Sequence, residues 1–258
     1  MESIFRRRSQ DAHGALDAWA RTEAKSGRSD YVSAHRVRYG ELIQLLDWLP
    51  LPNAARVLEL GCGDGFFGAF LQQRYDWKIH GMDCVVADVE LSRARGIPTE
   101  HGDLDRDPIP FADGAFDVVL FDSVLEHLYQ PFRALDEINR VTSPGGVLIL
   151  GTPNATSLVL RLRALWGENS FARFNRFNAL ERGAFMRECA VFYTPAEVEQ
   201  LLGTTFAIQC VRWTDLFDPF RARRAYWRNC LTPFRVAVCR AFPRLSDFFY
   251  LVAQKSAG

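Results

Sequence analysis

Val57-Leu58-Glu59-Leu60-Gly61-Cys62-Gly63-Asp64-Gly65-Phe66 decides the reading of this chain. A short apolar run ends in glycines at every second position and passes into a helical pattern that lasts to Arg74. Glycine lacks a Cβ, so a turn built from it reverses sharply and brings its backbone close to a ligand. The helix that follows offers unpaired N–H groups to an anion. Two anions suit such a place, a dinucleotide pyrophosphate and an amino-acid carboxylate. A dinucleotide turn asks for GxGxxG, with its third glycine where Phe66 stands, so the spacing speaks against it.

Outward from this turn, strands and helices alternate. Arg56–Leu60 reads as a first strand and Lys78–Met82, closed by Asp83, as a second. A short helix over Asp88–Arg95 leads to a third strand at Ile97–His101. Phe116–Phe121 is a fourth strand and Phe132–Val141 a helix, stopped by Ser143-Pro144-Gly145-Gly146 before a fifth strand at Val147–Leu150. Upstream, Leu42, Leu45, Leu46 and Leu49 recur at helical spacing over Arg36–Leu49, and Pro50 and Pro52 end that helix. Such alternation predicts an α/β fold with a mostly parallel sheet covered on both faces.

The glycine turn, with Glu59 in its E-x-G-x-G-x-G pattern, resembles the first motif of the class I S-adenosylmethionine (SAM)-dependent methyltransferases. Asp83 after the second strand, His101-Gly102-Asp103-Leu104 after the third and Phe116–Leu128 over the fourth fall in the same order as that family's later motifs. The resemblance covers residues 36 to 152 and, more loosely, 192 to 213. It implies a Rossmann-like fold with a seven-stranded sheet and a C-terminal helical insertion. It implies SAM as cofactor, held by Glu59, Gly61, Cys62, Gly63, Gly65, Asp83, Cys84, Asp103, Leu104 and Phe121. In the family, the acid after the second strand takes the ribose hydroxyls. The acid after the third takes the adenine amino group, with its apolar neighbour packed on the ring. The implied activity is methyl transfer to an oxygen or nitrogen of a small acceptor, lipid- or glycan-linked acceptors included.

Two rivals stay in view. A nicotinamide-dependent oxidoreductase would share the first strand and Asp83, but it wants the missing third glycine. A non-catalytic protein on the same fold would be expected to lose the acids or the glycines, and all are present. Glu126-His127 resembles the paired Glu-His of quinone-pathway O-methyltransferases, where an earlier glutamate helps bind a divalent ion. Ser123 stands in that glutamate's place, so no metal is expected. His127 remains a candidate general base, because an imidazole near neutral pKa can take a hydroxyl proton. The bland alternative is a pair at a helix start with no catalytic part.

Beyond Thr152-Pro153-Asn154 the pattern changes. Leu158, Leu162, Leu165 and Trp166 share a helical face, and Thr194-Pro195-Ala196-Glu197 is a capping box that opens a helix to Leu202. Phe206–Trp213 and Phe248–Ala253 read as two more strands. Between them, Pro219 to Ser246 carries seven arginines and no acid. That segment fits a helix pair with solvated arginines, an interfacial helix on anionic lipid or a cap over a lipid-linked acceptor, or, third, contact with an anionic or phosphate-bearing acceptor. The expected division is an N-terminal arm (1–35) and one methyltransferase domain (36–258). Within the domain, 36–153 is the SAM-binding core, 154–192 an acceptor-side cap, and 193–258 a C-terminal part with the arginine-rich segment.

Bulk composition agrees with a soluble globular protein. Acidic and basic residues balance at 31 each, and no nucleic-acid-binding module accompanies the basic stretch. Neither [DNS]-P-P-[YFW] nor Pro-Cys occurs, which sets aside the base-methylating DNA enzymes that use them. No apolar stretch near Met1 suggests a secretory leader, and the six cysteines form no CxxC pair. The expected location is therefore the cytoplasm, with peripheral membrane contact through 219–246 as the variation on it.

Overall fold

The computed structural model describes residues 14–16, 18–19, 29–167, 191–214 and 232–256. Seven strands form one sheet: β1 (Arg56–Leu60), β2 (Lys78–Asp83), β3 (Thr99–His101), β4 (Phe116–Asp122), β5 (Thr142–Pro153), β6 (Phe206–Thr214) and β7 (Phe248–Lys255). Their order is β3-β2-β1-β4-β5-β7-β6. The first five strands are parallel, and β7 runs antiparallel between β5 and β6. The order reverses between β1 and β4, and ligands of open α/β sheets bind at the carboxyl ends beside such a reversal.

Alternation along each strand builds two cores. Val57, Val118, Leu120, Ile149, Phe248 and Tyr250 face one side. There they meet Leu42, Ile43 and Leu46 of helix α1 (Ser29–Trp48) and Phe66, Phe67, Phe70 and Leu71 of helix α2 (Phe66–Tyr75). Leu58, Val119, Phe121, Leu148, Phe249 and Leu251 face the other. That side is covered by helices α4 (Pro131–Val141) and α6 (Pro195–Leu202), and helix α3 (Val86–Ala94) links β2 to β3. Because β7 is buried on both faces, it reads as the unbroken apolar run Phe248–Ala253. Helix α4 buries Ala134, Leu135, Ile138 and Val141, a three-to-four spacing that turns one stripe inward.

Several boundaries differ from the sequence reading. Helix α1 begins at Ser29, seven residues before Arg36. Ser143–Gly146 does not stop ahead of the fifth strand but lies within β5. Phe116 pairs with Thr142 and Val118 with Val147, so the extra residues are extruded as an irregularity. The N-terminal stretch, expected as an arm, places Leu16 in the first core and sets Trp19 against the rings of Phe66 and Phe70 at 6.3 and 6.2 Å. Two further helices are α5 (Leu158–Leu165) and α7 (Thr232–Ala241). Most of the expected cap (168–190) and part of the arginine-rich segment (215–231) lie outside the described residues.

Two substitutions test this packing. A Cβ at Gly151 would press on the Asp122 carboxylate and stand 2.6 Å from Tyr250 Cε1. Gly151→Ala should therefore destabilise the protein by about 1–3 kcal/mol, read as a lowered midpoint in denaturant. Thr194 accepts from the Glu197 amide while Glu197 reaches back to the Thr194 amide, a complete capping box. Thr194→Ala should cost about 1 kcal/mol by the same measurement.

Candidate active site

The glycine turn hangs from the end of β2. The Gly61 amide donates to the Met82 carbonyl at 2.8 Å, and the Asp83 carboxylate takes the amides of Gly63 at 2.8 Å and Val85 at 2.9 Å. Asp83 thus fixes the turns after β1 and β2 together. Gly63, at φ 54°, has open space where a Cβ would stand. Gly65, at φ 73°, begins α2 without a side-chain cap and packs against Ser92 of α3, so a larger residue there meets the Ser92 Cα at 2.9 Å. Asp64 accepts from the Phe66 amide and pairs with Arg95 at 3.1 Å, which braces the start of α2.

Asp103 lies at the carboxyl end of β3. Its Oδ1 accepts the Asp105 amide at 3.0 Å, and Asp105 in turn takes the amides of Tyr129 and Gln130 at 2.9 and 2.7 Å. These bonds join the loop after β3 to the one after β4. Leu104 is buried beside this loop, and Cys84 is exposed beyond Asp83, its carbonyl 3.2 Å from His101 Nε2. Glu59, Gly61, Gly63, Gly65, Asp83, Cys84, Asp103 and Leu104 therefore gather at one edge of the sheet. Two residues of the expected set turn their side chains away from this edge. The Phe121 side chain is fully buried in the second core, turned there by strand alternation, and offers the site only its backbone. The Cys62 side chain is also buried, with its thiol beside Gly81, and burial pushes that thiol well above its usual pKa.

The sequence reading missed the polar group on the α1 side. Asp122 ends β4, and Arg38 of α1 reaches it, Nε to Oδ2, at 3.1 Å, with both side chains about seven-eighths buried. Arg38 Nη1 also donates to Ser123 Oγ at 2.6 Å. Ser123 is held at φ 57°, a left-handed conformation that a serine adopts only under constraint, and its amide donates to the Gly151 carbonyl at 2.8 Å. The Tyr250 hydroxyl donates to the Arg38 carbonyl at 3.1 Å. Tyr250 and Asp122 are the side chains that flank Gly151, which has no room for one of its own.

Three buried carboxyls face this guanidinium. Burial pushes the Glu59 carboxyl up to about 8, reinforced by Asp122, Asp64 and Asp83 and opposed by Arg38. Burial likewise raises Asp122. Glu126 lies on a 3₁₀ turn (Leu125–His127), accepts from Thr152 Oγ1 at 3.1 Å, and is raised by burial to about 7. His127 is half-buried on the same turn. Among the described residues, no group of three or more His, Cys, Asp or Glu could hold a metal ion. Arg38 and Tyr250 carry no local motif, whereas Asp122 and Glu126 stand inside the stretch already read as the fourth strand and its sequel.

Known proteins match parts of this chain and share its fold. A family model described as a methyltransferase domain matches residues 58–150. A "probable S-adenosylmethionine-dependent methyltransferase" of Mycolicibacterium smegmatis is 40% identical over 100 residues, 38% of this chain and 38% of that protein. The malonyl-[acyl-carrier protein] O-methyltransferase of Legionella pneumophila is 33% identical over 129 residues, 47% of this chain and 44% of that protein. The chain spans 38% to 44% of the length of these relatives. A solved SAM-dependent methyltransferase from Thermotoga maritima, described as a possible histamine N-methyltransferase, superposes with a TM-score of 0.60 at 20% identity. The match covers 92% of this chain and 98% of that one. Residues 58–150 thus match a methyltransferase domain, and the sheet built on them has the fold of the solved SAM-dependent methyltransferases.

Proposed function

We propose that the chain transfers a methyl group from SAM to an oxygen or nitrogen of a small-molecule acceptor. The observation that carries the reading is the meeting of the glycine turn, Asp83, Asp103 and Glu59 at one sheet edge beside the β1/β4 reversal. The residues fit the donor. Two amides occupy one lone pair on each Asp83 oxygen, leaving acceptor capacity for ribose hydroxyls. Among the described residues, Glu59 Oε2 is buried with no hydrogen-bond partner, as suits a carboxyl awaiting a cationic group. Gly63 leaves its backbone open to close approach. Asp103 and Leu104 serve the adenine edge and face. SAM supplies a methyl already activated on a sulfonium, so the protein's share is alignment and exclusion of water.

A hydroxyl or ammonium acceptor must also lose a proton. Glu126, raised to about 7 and held by Thr152, can take it near neutral pH, with His127 as the neighbouring candidate base. In this reading 36–153 holds the donor, 154–192 forms the acceptor wall, and 193–258 completes the sheet. Leu162, Leu165 and Trp166 stand exposed on and just past α5, which favours an acceptor with an apolar body, lipid-linked ones included. The acyl substrate in the name of the Legionella relative is in keeping with such an acceptor. Peripheral membrane contact through 219–246 has one support among the described residues: exposed Phe242 between the exposed Arg240 and Arg244. No helix among the described residues is long and apolar enough to cross a membrane.

Calorimetric titration with S-adenosylhomocysteine and, in parallel, NAD tests the donor. Wild type should bind the former alone, and Asp83→Ala should weaken it about thirtyfold, the loss of about 2 kcal/mol in charge-assisted hydrogen bonds. Well-folded wild type that ignores S-adenosylhomocysteine overturns the reading. For the membrane, Phe242→Ser should lower co-sedimentation with anionic vesicles by about twofold or more. Wild type that stays in the supernatant retires that contact.

A further inference from the structure

The loop after β3 is fastened along helix α4 rung by rung. Asp105 Oδ1 accepts the amides of Tyr129 at 2.9 Å and Gln130 at 2.7 Å, just ahead of the helix. One turn further, Arg133 Nη2 donates to the Arg106 carbonyl at 2.7 Å. Beyond it, Glu137 accepts the Ile109 amide at 2.8 Å, and Arg140 donates to the carbonyls of Ile109 and Phe111 at 2.7 Å each. Residues 130, 133, 137 and 140 are spaced by three and four along one helical face, so the loop has a single register on α4. The helix has proline at its first position, and Gln130, its N-cap, makes no side-chain cap. Asp105 brings the missing carboxylate from another loop, to a helix start where free amides and the dipole favour negative charge.

The same residue reaches the acid at the adenine edge. The Asp105 amide donates to Asp103 Oδ1 at 3.0 Å, and the Asp103 amide donates to Asp107 Oδ2 at 2.8 Å. Hydrogen bonds thus run from the start of α4 through Asp105 to the Asp103 carboxylate. That carboxylate is 17% exposed, and its Oδ2 stands 3.8 Å from Arg106, whose side chain is 81% exposed. So open a pair is worth little against a ligand. With Oδ1 pinned, the direction of Oδ2 follows from where Asp105 sits.

We propose that Asp105 is a positioning residue of the donor site, which fixes the Asp103 carboxylate against the start of α4 and so sets selectivity for the adenine amino group. The proposal rests on the donor reading above. The 6-amino group of adenine donates to a carboxylate, whereas the 6-oxo group of hypoxanthine only accepts at that position and is repelled. Telling two bases of one shape apart requires an oxygen held within about 0.5 Å of its place. The rungs at Arg133, Glu137 and Arg140 do not involve Asp105. Its loss therefore loosens the end of the loop that carries Asp103 and leaves the rest attached.

The test is calorimetric titration of the whole chain with S-adenosylhomocysteine and S-inosylhomocysteine, with circular dichroism to show that each variant is folded. Wild type should prefer the adenosyl ligand by about tenfold or more, the worth of one hydrogen bond to a charged group. Asp105→Ala should cut that preference to about threefold or less, chiefly by weakening S-adenosylhomocysteine. Asp105→Glu keeps the charge but moves the loop by one methylene. It should cut the preference likewise, and it decides the matter if the alanine variant does not fold. Asp105→Asn keeps the accepting oxygen and Arg133→Met cuts a neighbouring rung, so both should stay within about twofold of the wild-type preference. Loss of packing alone would weaken both ligands alike and leave their ratio unchanged. A folded Asp105→Ala or Asp105→Glu that keeps the full preference overturns the proposal and leaves the donor reading intact. Wild type that binds both ligands equally also overturns it, by removing Asp103 from the amino group. Wild type that binds neither overturns the donor reading and the proposal with it.

Discussion

The carboxyl edge of this sheet depends on one carboxylate. Asp83 accepts the amide of Gly63 across the β1 turn and that of Val85 in its own turn, so two connections that must both be open to a ligand are held by a single side chain. A charged acceptor makes each of those bonds about twice as strong as its neutral counterpart. The amides it collects would otherwise need water or ligand, because the glycine turn has few backbone partners beyond the ends of β2 and its own loop. The geometry of the donor edge is thereby set before any ligand arrives, which is what alignment-limited chemistry requires.

On the other side of β1 the same edge is closed by charge. Helix α1 lies over the sheet through Leu42, Ile43 and Leu46, and this apolar contact places Arg38 above Asp122 and Ser123. Arg38 does three jobs at once. It neutralises part of a buried acid cluster, holds Ser123 in a left-handed conformation, and through its own carbonyl receives the Tyr250 hydroxyl. Burial of a lone ion pair is weak support for stability in general. Here the pair is also hydrogen-bonded through the Ser123 hydroxyl, which fixes its geometry.

Much of this was legible in the sequence because the signals are local. The glycine turn, the acid at the end of β2 and the apolar strands each announce themselves within about ten residues, as does the Thr194-Pro195-Ala196-Glu197 cap. The Ser143–Gly146 stretch misled because turn-forming residues fit an irregularity inside a strand as well as they fit the end of one. Phe121 misled for a related reason. It stands at the right end of β4, but alternation turns it into the core and presents Asp122 on the opposite face. Arg38 and Tyr250 were invisible, being 212 residues apart and joined only when the antiparallel β7 slots in beside β5.

That last insertion has a consequence for what makes this protein particular. The matched family domain ends at residue 150, one residue before Gly151. Gly151, Tyr250 and Arg38 all lie outside it, and together they decide how Asp122 is held: Gly151 gives the carboxylate room, Tyr250 fills the space beside it, and Arg38 supplies the charge. Residues 58–150 contribute the donor edge, which many acceptors can share. The flanking segments reach back over the same edge from both ends of the sequence. These segments, more than the matched core, set this edge apart, because a site on a common fold is specialised by what is laid across it.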